Sequence, residues 1–284
     1  MTLSFLEPTT LEEACSVLAG DEWGAKVISG GTAVVLMMRQ GLIAPTTLVS
    51  LNNLEGLRGI ELSSDGLRMG ARTTLTGIAS SAQVRSVAPS LAEACATVGN
   101  VRVRNLGTIG GNVAEADYAS DPPAVLVSLD AVCTVVGPAR TRLVPVADLI
   151  TGFYTTSLEP GEIITAVTIP LFPDADVRYA YHRYVSGSSE DRPCVGVATA
   201  AEFDQGRVKD LRVVVGAVAP VPQRFDNIAR EAIGTSLDAA TRDHIASAYA
   251  AAIDPIEDAR GSVWYRRRMV EVFVRKGLEG LVAP

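Results

Sequence analysis

Two short stretches carry residues of the right type and spacing to hold a phosphate. The first, "ISGGTAVVLMMRQG" (28–41), ends an apolar run in Ser-Gly-Gly-Thr and then resumes with apolar residues at helical spacing. A strand–Gly-Gly–helix turn suits an anion because glycine lets the backbone approach closely, and the exposed N–H groups of the turn converge on one place. A pyrophosphate fits that description. Paired glycines also make plain tight turns, so the first stretch does not decide the matter alone. The sequence has no G-x-G-x-x-G and no G-x-x-x-x-G-K-[ST], which removes support from the ordinary dinucleotide fold and from the P-loop.

The second stretch, "TIGGNVAEADYASDPPAVL" (108–126), repeats the pair as Gly110 and Gly111, eighty residues later, and adds Asn112 and Asp121. Asp121 stands before two prolines that open an apolar segment, which reads as an N-cap with proline at the first helical position. A cap carboxylate can also accept a hydrogen bond from a ligand hydroxyl, so the two roles are compatible.

The elements that must position these stretches alternate along the chain. Thr9 or Thr10 caps a helix over "LEEACSVLAG", where Leu11, Ala14, Cys15 and Leu18 repeat at helical spacing. "AKVISGG" is a buried strand entering the glycine turn, "AVVLMMRQG" a helix ended by Gly41, and "TTLVSLNNL" a strand. "LRGIELSSDGLRMGARTT" alternates around Ser-Ser-Asp-Gly as a hairpin. Helical segments "LTGIASSAQVRSV" and "PSLAEACATVG" follow, then the second glycine site as a loop, a helix "PPAVLVSL" and strands "AVCTVVGP", "TRLVPVADL" and "EIITAVTIP". Beyond "IPLFPDAD", a strand, an Asp-Gln-Gly-Arg turn and a second strand lead into helices "LDAATRDHIASAYAAAI" and "SVWYRRRMVEVFVRKGLEGL". The reading is an α+β chain with a two-part domain at 1–173, made of an N-terminal unit (1–55) and an antiparallel-sheet unit (56–173), and a C-terminal α+β domain at 174–284.

Composition narrows the function. The chain has 284 residues, 48% of them apolar, enough for a sizeable core. A net charge of -7 argues against a sequence-independent nucleic-acid binder, which needs basic surface to displace counterions. Cys15, Cys95, Cys133 and Cys194 form no Cys-x-x-Cys spacing and read as reduced core thiols, and two histidines poorly supply a metal site. The N-terminus lacks the pattern of a secretory signal and no apolar run is long enough to span a bilayer, so a cytoplasmic protein is expected.

Together the two glycine stretches resemble the FAD-binding medium subunit of the molybdenum hydroxylases, the family of xanthine dehydrogenase and aerobic carbon monoxide dehydrogenase. "PGEIITAVTIP" and "ARGSVWYRRRMVEVFVRKGLEG" extend the resemblance over essentially the whole chain. It implies FAD extended between the N-terminal and middle units. Ser29, Gly30, Gly31, Thr32, Ala33 and Val34 would form the first loop, with the N–H groups of Gly30 to Ala33 facing the pyrophosphate. Thr108, Ile109, Gly110, Gly111 and Asn112 would form the second loop against the phosphates and ribityl chain. Asp121 would hold a flavin-side hydroxyl, Ile164 would touch the cofactor, and Arg183 matches a position where relatives often have lysine near the isoalloxazine. Val98 stands where some relatives carry an aromatic and Arg102 where many carry glutamine, which implies a different ring environment.

The implied activity is electron relay, with no side chain of this chain acting as a covalent nucleophile. A large molybdopterin subunit and a small subunit with two [2Fe–2S] clusters would be its partners, as a dimer of heterotrimers. A stand-alone FAD-dependent oxidoreductase and a non-catalytic binding module are the competing readings. Two further segments stay open. "WYRRRMVEVFVRKG" would either dock an acidic partner through Arg266, Arg267 and Arg268, or be an amphipathic helix with solvated arginines and Val270, Val272 and Phe273 inward. "YAYHRY" (179–184) would either place an aromatic over the flavin or be a strand with alternating buried tyrosines.

Overall fold

A computed structural model describes residues 3–171 and 176–282. The expected boundary between residues 173 and 174 lies outside the described residues.

The N-terminal unit holds strand β1 (Ser4–Leu6), helix α1 (Leu11–Gly20), β2 (Ala25–Ile28), α2 (Val34–Arg39) and β3 (Thr47–Ser50), with the strands parallel in the order β1-β3-β2. The Thr10 hydroxyl accepts from the Glu13 N–H at 3.2 Å while the Glu13 carboxylate accepts from the Thr9 N–H at 3.1 Å, a reciprocal cap that fixes where α1 starts. Its buried face, Ala14, Cys15 and Leu18, packs on Val49, Leu51 and Ile163. Strand β1, too short to show alternation, was not anticipated.

The middle unit begins with the expected hairpin, β4 (Ile60–Ser63) and β5 (Gly66–Gly70). The segment expected as one helix after it is two, α3 (Leu75–Ser80) and α4 (Ala82–Val87). Ser81 takes an extended ψ of 125° and its hydroxyl accepts from Val84 N–H, capping the second helix and ending the first. Then come α5 (Pro89–Thr97), α6 (Val101–Leu106), α7 (Ile109–Glu115) and α8 (Asp121–Ser128). Strands β6 (Val132–Val136) and β7 (Thr141–Pro145), a turn of helix α9 (Val146–Leu149), the small pair β8 (Ile150–Gly152) and β9 (Thr155–Thr156), and β10 (Ile163–Ile169) complete the unit. Its five-stranded sheet, β4-β5-β10-β6-β7, is antiparallel throughout. Strand β10 is central and covered on both faces, so its apolar run does not alternate.

The last unit carries β11 (Asp176–Tyr184), β12 (Val195–Asp204), β13 (Arg207–Gly216) and β14 (Gln223–Arg224) in an antiparallel sheet in chain order. Gln205 and Gly206 at φ 48° and 76° make the two-residue turn between β12 and β13 that the twist of a hairpin favours. Helices α10 (Asp226–Ala229), α11 (Ala239–Ala252) and α12 (Val263–Val282) follow. One face of this sheet meets α11 and α12. The other meets α8, and Tyr181, Ala198 and Val214 join the core of the middle unit there. Helix α8 is buried along its whole length for that reason.

Arg266, expected at the surface under either reading of the C-terminal helix, is fully buried. Its guanidinium donates to the carbonyls of Cys194 and Ala217 and pairs with Asp258. Arg267 and Arg268 are exposed. "YAYHRY" is part of strand β11, but of its tyrosines only Tyr181 is buried, facing α8; Tyr179 and Tyr184 are half-buried, and Tyr184 shares a 2.6 Å hydroxyl contact with Tyr265.

Candidate functional site

The turn after β2, the start of α7 and the start of β10 meet around a groove of about 450 Å³ between the N-terminal and middle units. Ser29, Gly30, Gly31, Thr32, Ala33 and Val34 form one wall, Thr108, Gly110, Gly111 and Asn112 the facing wall, and Ile164 part of the floor. The two glycine stretches, eighty residues apart in sequence, are therefore adjacent, and the Thr108 hydroxyl donates to the Ser29 hydroxyl at 3.4 Å.

The first glycine pair has two separate structural reasons. A Cβ on Gly30 would stand 1.8 Å from the Leu106 carbonyl oxygen, so only glycine lets the turn lie against the end of α6. Gly31 has φ +71°, the left-handed region that other residues enter at a cost. The turn leaves the N–H groups of Gly30, Gly31, Thr32 and Ala33 without an acceptor among the described residues. Four donors in a row at the rim of a groove are what an anion needs, and without a ligand or water they would be unsatisfied.

The second pair differs from the expected loop. Thr108 caps α7, its hydroxyl accepting from Gly111 N–H at 3.2 Å, so Gly110 and Gly111 sit in the first turn of a helix. The N–H groups here are already used: Ile109 donates to Thr73, Gly110 to Ala71 and Asn112 to Thr108. Gly110 is required by packing, since its Cβ would meet the Ala71 Cβ at 2.5 Å. A Cβ on Gly111 would meet only the Thr108 hydroxyl. What this wall offers a ligand is close approach and side chains. The Asn112 amide nitrogen donates to Ser120 at 2.8 Å, and its Oδ1 is buried with no partner in the protein, an acceptor at the groove waiting for a donor. Ile109 is fully buried beneath the groove and does not line it.

Asp121 and Arg183 do not line the groove either. Asp121 is the first residue of α8 and not its N-cap, which is Ser120. At 4% exposure its carboxylate accepts from the Tyr181 hydroxyl and stands 3.3 Å from Arg183 Nε. Nε makes no hydrogen bond there, so this contact is one of charge alone. Burial pushes the Asp121 carboxyl up to about 6, against the pull of Arg183 and Tyr181. Arg183 also donates to the carbonyls of Thr97 and Asp191. It thereby braces the residue before Val98, which does line the groove.

Several lining groups were invisible in the sequence. The loop from Leu158 to Glu162 forms the outer wall, held by a bidentate pair of Arg142 and Glu162 at 2.7 and 2.6 Å. Hydrogen bonding to Arg142 holds the Glu162 carboxyl below the usual carboxylate range. Lys26 and Glu115 bring opposite charges to the groove from β2 and α7, and burial raises the Glu115 carboxyl. The Pro-Gly-Glu of "PGEII" was the one signal for this wall, with Gly161 at φ +83°.

Comparison with known proteins agrees with this geometry. Residues 1–172 match the family of FAD binding domains in molybdopterin dehydrogenase, and residues 180–281 match the CO dehydrogenase flavoprotein C-terminal domain. The glyceraldehyde dehydrogenase medium chain of Sulfolobus acidocaldarius is 30% identical over 276 residues, 97% of each chain. The xanthine dehydrogenase FAD-binding subunit of Escherichia coli is 29% identical over 281 residues, 99% of this chain and 96% of that one. In the solved carbon monoxide dehydrogenase of Hydrogenophaga pseudoflava, a chain 28% identical superposes with a TM-score of 0.94, covering 99% of this chain and 97% of that one. The chain belongs to the FAD-binding medium subunits of the molybdenum hydroxylases, oxidoreductases of the carbon monoxide and xanthine dehydrogenase kind.

Proposed function

We propose that FAD lies in this groove and that the chain relays electrons from [2Fe–2S] clusters of a small partner subunit, reduced in turn by a large molybdopterin subunit, to an external acceptor. The observation that carries the placement is the row of four unpaired N–H groups from Gly30 to Ala33, facing a wall whose Asn112 Oδ1 also lacks a partner. Bound there, FAD supplies the step between one-electron and two-electron carriers. The protein's part is to bind, orient and insulate it. Ser29, Thr32 and the turn N–H groups hold the pyrophosphate, Thr108, Gly110, Gly111 and Asn112 admit the chain between phosphates and ring, and Val34, Val98 and Ile164 exclude water from the groove's apolar parts. In this reading Ile109 supports the floor, and Asp121 and Arg183, which stand outside the lining, act on the flavin side only indirectly, Arg183 by bracing Thr97 beside Val98.

The four cysteines are buried separately, which fits iron–sulfur clusters held on another chain. A division into an FAD-binding domain at 1–173 and a C-terminal domain at 174–284, a cytoplasmic site of action and a dimer of heterotrimers go with the same reading. Among the described residues no helix is long and apolar enough to cross a membrane. The test is a rapid-mixing experiment in which the FAD-loaded chain meets its reduced iron–sulfur partner. Bleaching of the flavin absorbance at the rate of cluster reoxidation supports the relay. Turnover of the isolated chain with a nicotinamide donor, and no transfer from the partner, would establish a stand-alone oxidoreductase instead.

A further inference from the structure

A second cavity, of about 780 Å³, opens on the far side of the same glycine turn, and its chemistry is cationic. Arg72 stands in the link between β5 and α3 and is only 5% exposed. Its two terminal nitrogens donate to the backbone oxygen and the side-chain Oδ1 of Asn52, both at 2.6 Å and both neutral acceptors. Its Nε is buried without an acceptor. Arg58 lines the same cavity, and no carboxylate among the described residues pairs with either arginine. Glu55 is the one acid on the lining, exposed and hydrogen-bonded to neither. A buried guanidinium is normally matched by an opposite charge, because the charge loses its hydration on burial. Here the match is missing and the neighbour is a second cation, which with burial lowers the Arg72 pKa. Asn105 and Thr74 complete the wall with polar atoms suited to an oxyanion.

We infer that this cavity is an oxyanion site, recognising a phosphate group between Arg72 and Arg58, distinct from the groove in which the cofactor is proposed to lie. Arg58 has its guanidinium fork to offer to phosphate oxygens, and Arg72, whose terminal nitrogens are held by Asn52, has its unpaired Nε. The phosphate could be free or the terminal group of a small monoester, since the cavity exceeds the size of the bare ion. The inference does not depend on where FAD binds, and the test keeps the two apart.

The full-length chain, FAD-loaded and FAD-free, is titrated with inorganic phosphate and with glycerol phosphate by calorimetry at constant ionic strength, using chloride as the control salt. One saturable site per chain is expected in both forms, weakened about tenfold by Arg72→Gln and by Arg58→Gln, and abolished by Arg58→Glu. Tighter binding of glycerol phosphate than of phosphate assigns the site to a monoester, and the reverse to the free ion. Arg58 is exposed, so its variants decide the matter even if Arg72→Gln fails to fold. Saturable binding that disappears on FAD loading, or binding that Arg58→Gln and Arg58→Glu leave unchanged, or no binding above the chloride control, would overturn the inference.

Discussion

Replacing Gly30 by alanine tests the glycine turn where it is least forgiving. The added Cβ would stand 1.8 Å from the Leu106 carbonyl oxygen and 2.6 Å from its carbon. A carbon–oxygen contact normally settles near about 3.3 Å, so the turn and the end of α6 must separate by roughly 1.5 Å. Both partners are backbone, so no side chain can rotate away. Overpacking of this kind costs about 1–3 kcal/mol or more, and for a chain of this size about 3 kcal/mol lowers Tm by roughly 6–12 °C. The same displacement carries the N–H groups of Gly30 to Ala33 away from the phosphates. Two charge-assisted hydrogen bonds lost, at about 1.5–3 kcal/mol each, weaken FAD at least about a hundredfold. Gly31→Ala should be milder, because its nearest neighbour is the Ile28 side chain at 3.3 Å and the penalty is the φ of +71°, about 1–2 kcal/mol. Gly20→Ala, with nothing within 4 Å, should be neutral or stabilising by up to about 1 kcal/mol. Urea unfolding followed by circular dichroism, with FAD affinity read from flavin fluorescence, gives both quantities for the three variants. A Gly30→Ala protein with wild-type midpoint and wild-type FAD affinity would refute the reasoning.

Three other perturbations probe the surroundings. Because the Asp121 carboxyl is raised to about 6, folding favours its protonated form, so its contribution is complete below the unfolded value and is lost as pH rises through about 6. Wild type should therefore gain about 1 kcal/mol from this group between pH 7 and pH 5, and Asp121→Asn should remove that part of the pH slope in urea unfolding. Thr108→Val removes the cap of α7 and the tie to Ser29, and should cost about 0.5–2 kcal/mol in the same measurement while weakening FAD. Arg266→Met leaves Asp258 and two carbonyls without their donor, and should cost about 3–5 kcal/mol in thermal unfolding, without any direct effect on flavin affinity.

What the sequence disclosed followed from local rules. Thr10 with Glu13, the hairpin at Ser63–Gly66 and the turn at Gln205–Gly206 each depend on residues within four positions of one another, and all were readable. Gly30 and Gly31 were legible as a turn because a paired glycine between a strand and a helix asks for close backbone approach and a positive φ, both of which the structure has. The second pair was misread as a loop because two glycines mask a helix that Thr108 caps, and because the packing need of Gly110 arises from Ala71, far away in sequence. Asp121 was misjudged as a cap because Tyr181 and Arg183, sixty residues on, determine its environment. Arg266 had a signal that three adjacent arginines obscured. It lies at the i, i+4, i+8 spacing of Val270 and Val274, which continue as the buried stripe of α12 through Leu278.

The most direct measurement is the cofactor content of the purified chain, from its absorbance before and after acid release, followed by reconstitution with FAD. One FAD per chain, lost from a Gly30→Ala variant that is still folded, is the predicted result. A colourless chain that takes up no FAD, or one whose FAD affinity is indifferent to Gly30 and Asn112, would contradict the placement of the flavin in this groove.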